Sequence, residues 1–485
     1  MDANTLILLT FGVYLVLLLG IGWWGDRRFG HSYAGFVTAD KSLGGWVAAI
    51  SSAASSESAW VMLGLSGLGY KKGLAAYWAT IGCTLGFLAT SLFVVVQLRR
   101  SSAEVKILTL GDYLEHVLGD RRHVIKAVSS LLIAFFMLVY VVAQFVGTGK
   151  QMSGMNLMGY HGGVIAGAVI IGIYVLIGGY AAVCWTDLIQ GLLMSAVMVA
   201  FPLVALGKAG GLGPVGDALS SAGIGTFWIG SQGLSWAALG FALGQLGIGI
   251  GYPGMPHSII RFVTVRDEKA ARNAAIIGVV WGALVLFGAP TLGIIGRALL
   301  PELADPEHVL PAFTAKFFHP VVSGVILAAV TAAIMSTADS QLMMAATAVI
   351  HDLYYPLVGG RGDAGAPRGQ VAKTRAVIGV LSLVALGIAL IEPRVIYTFV
   401  LFAWGALGAS FTPVILLSLH WRRLSWQGAL ASFILGPLTI VVWKVSGLST
   451  HLYELFPGAV VATVAAVLVS LATPSAPSSG TKKAA

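Results

Sequence analysis

The chain runs to 485 residues, 57% of them hydrophobic and only 10% charged, whereas a soluble domain carries about 25% charged residues. So few charges cannot cover a water-facing surface of this size, which excludes an ordinary soluble globular protein. The net charge of +9 does not indicate nucleic acid, because the charges fall in short loops between apolar stretches, where they set membrane orientation.

Apolar stretches of the roughly twenty residues that a bilayer requires recur from end to end. Hydropathy predicts about thirteen transmembrane helices, at 5–25, 45–69, 75–98, 123–149, 160–179, 187–207, 233–256, 271–297, 320–350, 374–392, 395–419, 425–444 and 454–473, and so an all-α membrane protein. The first run, Leu6 to Trp24, follows Asp2 rather than a basic stretch, and no small-residue cleavage site comes after it. It therefore reads as a permanent span and not as a cleaved leader. Assigning alternate loops to the cytoplasm, starting after the first span, puts 21 of the 29 basic residues on that side, among them Arg27, Arg28, Arg99, Arg100, Arg261 and Arg266. This bias predicts an N-terminus outside and a C-terminus inside. The segment Pro474–Ala485 is small and polar and reads as a disordered tail. The absence of an appended soluble domain argues against a sensor fused to a kinase. Cys83 and Cys184 lie in or beside apolar spans, which gives neither a disulfide framework nor a metal-ligand cluster.

Two spans break the helical rules. The second contains Ser51-Ser52-Ala53-Ala54-Ser55-Ser56-Glu57-Ser58-Ala59-Trp60, and the seventh runs from Gly244 to Pro256 with five glycines before Met255 and Pro253 inside. Gly and Pro weaken the backbone ladder, and such stretches survive at membrane depth only where they are buried or line a cavity. Each opens a block of five spans, the second to sixth and the seventh to eleventh. Interrupted helices at matching positions of two halves point to an inverted-repeat transporter with its site near the midplane. The alternative is that both runs are Gly-rich packing faces.

Charged groups inside spans are costly, so each is a functional candidate. Three acids qualify: Glu57, Asp187 and Asp339. Asp187 follows Trp185-Thr186 at the expected start of a span, where the plain alternative is a helix N-cap. Ser336, Asp339 and Ser340 are spaced i, i+3 and i+4 on one helix face, with Thr337 beside them. Such a set of hard oxygens suits a small cation, the alternative being hydroxyls bonded back to the preceding turn. Glu57 has three open readings: a neutral acid, the counter-charge of a cation, or the partner of a substrate amine. His257 and His351 read as structural. No nucleophile–base set or cofactor motif is present, so an enzyme is not expected.

Several local runs resemble the sodium/solute symporter family, and within it the bacterial sodium/proline carriers: Thr109-Leu110-Gly111-Asp112-Tyr113, Trp185-Thr186-Asp187, Pro256-His257 with Arg261-Phe262, Met335-Ser336-Thr337 and Ala403-Trp404-Gly405. The likeness extends over most of the chain. It implies a LeuT-type core of five plus five inverted helices, with repeats at 44–207 and 208–423. These would be flanked by 1–43 and by two C-terminal helices within 424–473. It implies a sodium site of backbone contacts at Ala54, Glu57 and Ala333 with the side chains of Ser336 and Thr337, and a second ion position at Asp187, Asp339 and Ser340. The substrate side implied by the resemblance comprises Ser56, Ser58, Trp60, Tyr140, Gln144, Tyr252 and Pro256. Three positions depart from the proline carriers, which have an aspartate at Ser56, a methionine at Glu57 and a tryptophan at Ile248.

The resemblance therefore implies sodium-coupled import of a small organic solute, with L-proline the first expectation, by alternating access in a bacterial inner membrane. The functional unit would be a monomer, with Na+ as coupling ion and no other cofactor. Proton coupling through Glu57 or Asp339, another amino acid, organic acid or vitamin-like carboxylate as solute, and a non-transporting membrane sensor are the alternatives.

Overall fold

The computed structural model describes residues 1–29, 32–103, 107–224, 235–358, 367–391 and 396–473. The expected tail 474–485 lies outside the described residues. Among the described residues there is no strand; a single isolated bridge pairs Leu43 with Val265. The principal helices are α1 (Ala3–Phe29), α2 (Gly45–Ser56), α3 (Ser66–Lys72), α4 (Tyr77–Thr90), α5 (Leu110–Leu118), α6 (Val124–Gly154), α7 (Tyr160–Ile177), α8 (Tyr180–Lys208), α9 (Trp236–Gly247), α10 (Pro256–Thr264), α11 (Glu268–Leu299), α12 (Val309–Phe317), α13 (Pro320–Thr347), α14 (Pro367–Ile391), α15 (Ile396–His420), α16 (Trp426–Val445) and α17 (Leu455–Ala472).

Eleven helical stretches among the described residues are long and apolar enough to cross a membrane. They account for every predicted span except the second and the seventh. Those two fail a length test because each is broken. The second is α2, of 12 residues, which stops at Glu57 (φ −107°, ψ 80°) and resumes as a π-helical turn, Trp60–Leu65, leading into α3. The seventh is α9, then a 3-10 stretch at Ile248–Gly254, an extended Met255 (φ −70°, ψ 110°), and α10. Pro256 opens α10 at the position where a missing N–H costs nothing and a fixed φ suits the helix. The break in the seventh span packs too tightly for side chains. A Cβ on Gly249 would lie 2.0 Å from the Gly82 carbonyl oxygen, and one on Gly254 would lie 2.2 Å from the Thr412 nitrogen.

The bundle sorts its helices by composition. Small residues make up half of α13, which is buried over most of its length, whereas α1 is exposed over most of its own. The outer helices turn an apolar face to lipid: Val460, Val464, Leu468 and Leu471 of α17 are exposed at helical spacing.

Two sequence expectations need correction. Gly178 and Gly179 take extended backbone, so α8 starts at Tyr180 instead of residue 187. Asp187 is thus about two turns inside the helix, with no N-cap role. Arg261, assigned to a cytoplasmic loop, is 1% exposed and sits in α10.

A separate polar cluster ties α5 to α6 and to the π-helical extension of α13, Ala348–Tyr354. Lys126 Nζ donates to Asp112 Oδ1 at 2.6 Å, the His351 ring nitrogen lies 3.1 Å from Asp112 Oδ2, and the Asp352 carboxylate accepts from Thr109 and Ser130 at 2.8 and 2.7 Å. Asp112, His351 and Asp352 have metal-ligand proximity, but the Lys126 ammonium already supplies the counter-charge. Burial alone would raise the Asp112 carboxyl, yet the hydrogen bond and charge of His351, with Lys126, hold it well below the usual range. A carboxyl depressed by folding stabilises the protein above its unfolded pKa of about 3.9 and loses that contribution as pH falls below it. The detergent-solubilised protein is therefore expected to lose melting temperature progressively below about pH 4, and Asp112→Asn is expected to flatten that slope.

Candidate ion and substrate site

The break after α2 exposes carbonyls at a helix end, where the last turn has no intrahelical donors to satisfy it. Beside it runs α13, rich in small residues and hydroxyls. Ser336 Oγ reaches across to the Ala54 carbonyl at 3.2 Å and back to the Ala333 carbonyl at 3.1 Å, and Thr337 Oγ1 donates to the same Ala333 carbonyl at 3.1 Å. Four of the five expected sodium contacts therefore converge on one spot. The back-bonding expected of isolated helical hydroxyls is also present: Ser340 Oγ donates to the Ser336 carbonyl at 2.8 Å. Ser336 additionally bridges the two elements. Glu57 ends α2, and its amide donates to the Ala53 carbonyl at 3.0 Å. Its side chain is fully buried, with neither carboxylate oxygen bonded to protein.

The expected substrate side forms a second, adjoining wall. Gln144 Nε2 donates to Ser58 Oγ at 3.2 Å, and Gln144 Oε1 accepts the Ala59 amide at 3.3 Å, so α6 clasps the broken backbone. The Trp60 indole donates to the Ser56 carbonyl at 2.9 Å, while the Ser56 hydroxyl bonds back to the Ser52 carbonyl at 3.0 Å. Tyr140 packs edge-on to His257, ring centroids 6.3 Å apart, and His257 in turn meets the Ser55 carbonyl at 3.0 Å. Tyr252 lies between Phe87 and Trp404, at 4.5 and 4.7 Å. Pro256 is buried at the start of α10. His257 Nδ1 and both Glu57 oxygens are buried without a protein partner, and the hydroxyls of Tyr140 and Tyr252 are buried beside Ser58 and Cys83. Buried polar atoms are normally hydrogen-bonded, so the Glu57 oxygens and His257 Nδ1 leave polar capacity open at the break.

The sequence matches the Sodium:solute symporter family over residues 36–436. The chain belongs to that family. It is 34% identical to sodium/proline symporters of Staphylococcus aureus strains USA300 and JH9, over 97% of this chain and 94% of theirs. Among solved structures it resembles a Na+-coupled sialic acid symporter in a substrate-bound outward-open state, with a TM-score of 0.80 at 20% identity, covering 98% of this chain and 100% of that one. It also resembles a nucleobase-cation-symport-1 family transporter closed around bromovinylhydantoin, with a TM-score of 0.56 at 13% identity, covering 91% of this chain and 94% of that one. The fold is the LeuT type, with its five-plus-five inverted core.

Two of the residues expected at a second ion position, Asp187 and Ser340, meet an arginine. Ser51 Oγ donates to Asp187 Oδ2 at 2.6 Å, Ser55 Oγ lies 3.3 Å from the same oxygen, and Ser55 Oγ meets Ser340 Oγ at 3.1 Å. Into this ring comes Arg261: Nη2 donates to Asp187 Oδ2 at 2.9 Å and to Ser340 Oγ at 2.5 Å, and Nε donates to Ser51 Oγ at 2.6 Å. Nη1 is bonded to the His257 carbonyl. Asp339, next to this ring in sequence, directs Oδ1 to its neighbour's amide at 2.5 Å, and its Oδ2 has no protein partner. Sequence reasoning missed the burial of Arg261 and the packing of Phe87 and Trp404 against Tyr252. The available signal was the i, i+4 pair of His257 and Arg261 in a helix opened by Pro256, which leaves no room for a loop at Arg261.

Proposed function

We propose that this protein imports a small zwitterionic amino acid, L-proline first among the candidates, together with Na+. The single observation that carries the reading is the convergence of Ser336 and Thr337 with the Ala54 and Ala333 carbonyls at the broken second span. Hard, mostly neutral oxygens at a helix break suit an alkali ion. The solute binds beside it, against Tyr140, Tyr252 and Trp60. Glu57 stands one residue past the position where the proline carriers have an acid, a rotation of about 100° on a helix. Its unpartnered, buried carboxylate beside that wall supports a solute bearing an ammonium group. Ion binding favours the form that accepts solute, and by linkage solute favours ion binding. The two repeats, 44–207 and 208–423, then rock around the site. One charge crossing 100 mV yields about 2.3 kcal/mol, enough for a roughly fifty-fold solute gradient at about 1.36 kcal/mol per decade. The protein works as a monomer in a bacterial inner membrane, with its N-terminus outside and its C-terminus in the cytoplasm.

The test is uptake of labelled L-proline by vesicles holding the pure protein, with sodium and pH gradients imposed separately. Sodium alone should drive accumulation. Accumulation driven by pH alone would instead support proton coupling, a reading favoured by the unpartnered oxygens of Glu57 and Asp339. Competition by a panel of amino and carboxylic acids checks the solute. Tyr252→Ala removes a buried wall and hydroxyl, and is expected to raise the half-saturating solute concentration about ten- to hundred-fold, a cost of roughly 1.4–2.8 kcal/mol. An unchanged half-saturation would take Tyr252 out of the pocket.

A further inference from the structure

The ring of oxygens around Asp187 is assembled from three separate elements, and a fourth fills it. Ser51 and Ser55 come from α2, Asp187 from α8 and Ser340 from α13, while α10 supplies Arg261. Without the arginine it would be a carboxylate with three hydroxyls, a set of hard oxygens suited to Na+. The guanidinium engages Asp187, Ser51 and Ser340 from within, at 2.9, 2.6 and 2.5 Å. Its side chain is 1% exposed and that of Asp187 0%. The face of Tyr180 lies 5.8 Å from the guanidinium carbon. A guanidinium stays charged at any biological pH, so the positive charge here is permanent and covalently held. Ser340 lies one helical turn from Ser336 on α13 and is bonded to the Ser336 carbonyl, so the ring adjoins the candidate sodium site without sharing its hydroxyls.

We infer that Arg261 is a tethered cation that fills the second ion position, and so limits this carrier to one sodium ion per transport cycle. The inference rests on the sodium-coupled reading above. Arg261 thereby sets ion stoichiometry without touching solute. A mobile ion at the same place would carry a second charge through the membrane, whereas the guanidinium neutralises Asp187 without leaving the protein. The same arrangement explains why Asp187, deep in the bundle, needs no exchangeable partner. A purely structural ion pair would predict that removing the arginine only destabilises the protein. A tethered cation predicts that removing it opens a vacancy for a free one.

The experiment counts ions directly and needs no knowledge of the solute. Purified protein is titrated with 22Na+, and bound ions per chain are read at saturation. The unaltered protein should bind one ion, Arg261→Gln two, and Arg261→Lys, which restores a cation, one. The pair Asp187→Asn with Arg261→Gln removes both charges and should return the count to one, and Arg261→Ala, also expected to bind two, replaces Arg261→Gln where that variant does not fold. Two ions on the unaltered protein, or one on a folded Arg261→Gln, would overturn the assignment while leaving sodium coupling intact. No saturable binding to the unaltered protein would overturn the sodium-coupled reading itself.

Discussion

The double variant Ser336→Ala, Thr337→Ala is expected to abolish sodium-dependent uptake while leaving the protein in the membrane. Each hydroxyl is a direct candidate ligand, and Ser336 is also the bridge from α13 to the Ala54 carbonyl at 3.2 Å. A contact with a charged partner contributes about 1.5–3 kcal/mol. Losing two therefore costs roughly 3 kcal/mol or more, about a hundred-fold in sodium affinity. The fold should tolerate the change, because alanine is the best helix former and both hydroxyls otherwise satisfy only their own preceding turn. Sodium affinity of the purified variant and its abundance in membranes are the two measurements. An unaltered half-saturation for sodium, in a protein present at normal levels, would remove this cluster from the mechanism.

Asp187→Ala is expected to produce the largest loss of stability. The Arg261 guanidinium would then be buried with hydroxyls and a carbonyl but with no carboxylate bonded to it. Breaking a buried ion pair from one side costs about 3–5 kcal/mol, a large share of the roughly 5–15 kcal/mol that holds a typical protein folded. The melting temperature in detergent should fall sharply. Removing Arg261 as well should recover much of it, since the desolvated charge goes too. A variant melting within a degree or two of the parent would show that Arg261 reaches water or another acid when Asp187 is gone, against the geometry described.

Membrane class and span positions were legible because the bilayer imposes a length and a composition that hydropathy can count. The two broken spans were legible for a related reason. A run such as Gly249-Ile250-Gly251-Tyr252-Pro253-Gly254-Met255-Pro256 does not suit a continuous helix in lipid, and the structure makes it 3-10 and then extended. The hydroxyls at Ser336 and Thr337 were legible because polar residues on an apolar helix need a reason. Boundaries were less so. The stretch Tyr180 to Thr186 follows the Gly178-Gly179 break and carries Tyr, Trp and Thr, the residues of a span end, which hid the first two turns of α8 and made Asp187 look like a cap. Arg261 was misplaced because a positive charge near the end of an apolar run ordinarily marks a loop. Only a carboxylate from a helix distant in sequence makes its burial tolerable, and no local pattern records that partner.

By itself, then, the chain's composition and periodicity determined that it spans a membrane many times, where its helices must break, and which oxygens stand at hand for a cation. These follow from local rules: backbone bonds must close in lipid, and small and polar residues must be hidden from it. Tertiary structure alone decided which of those oxygens meet. Ala54 faces Ser336, and Asp187 holds Arg261 rather than standing free, because helices far apart in sequence are packed against one another there.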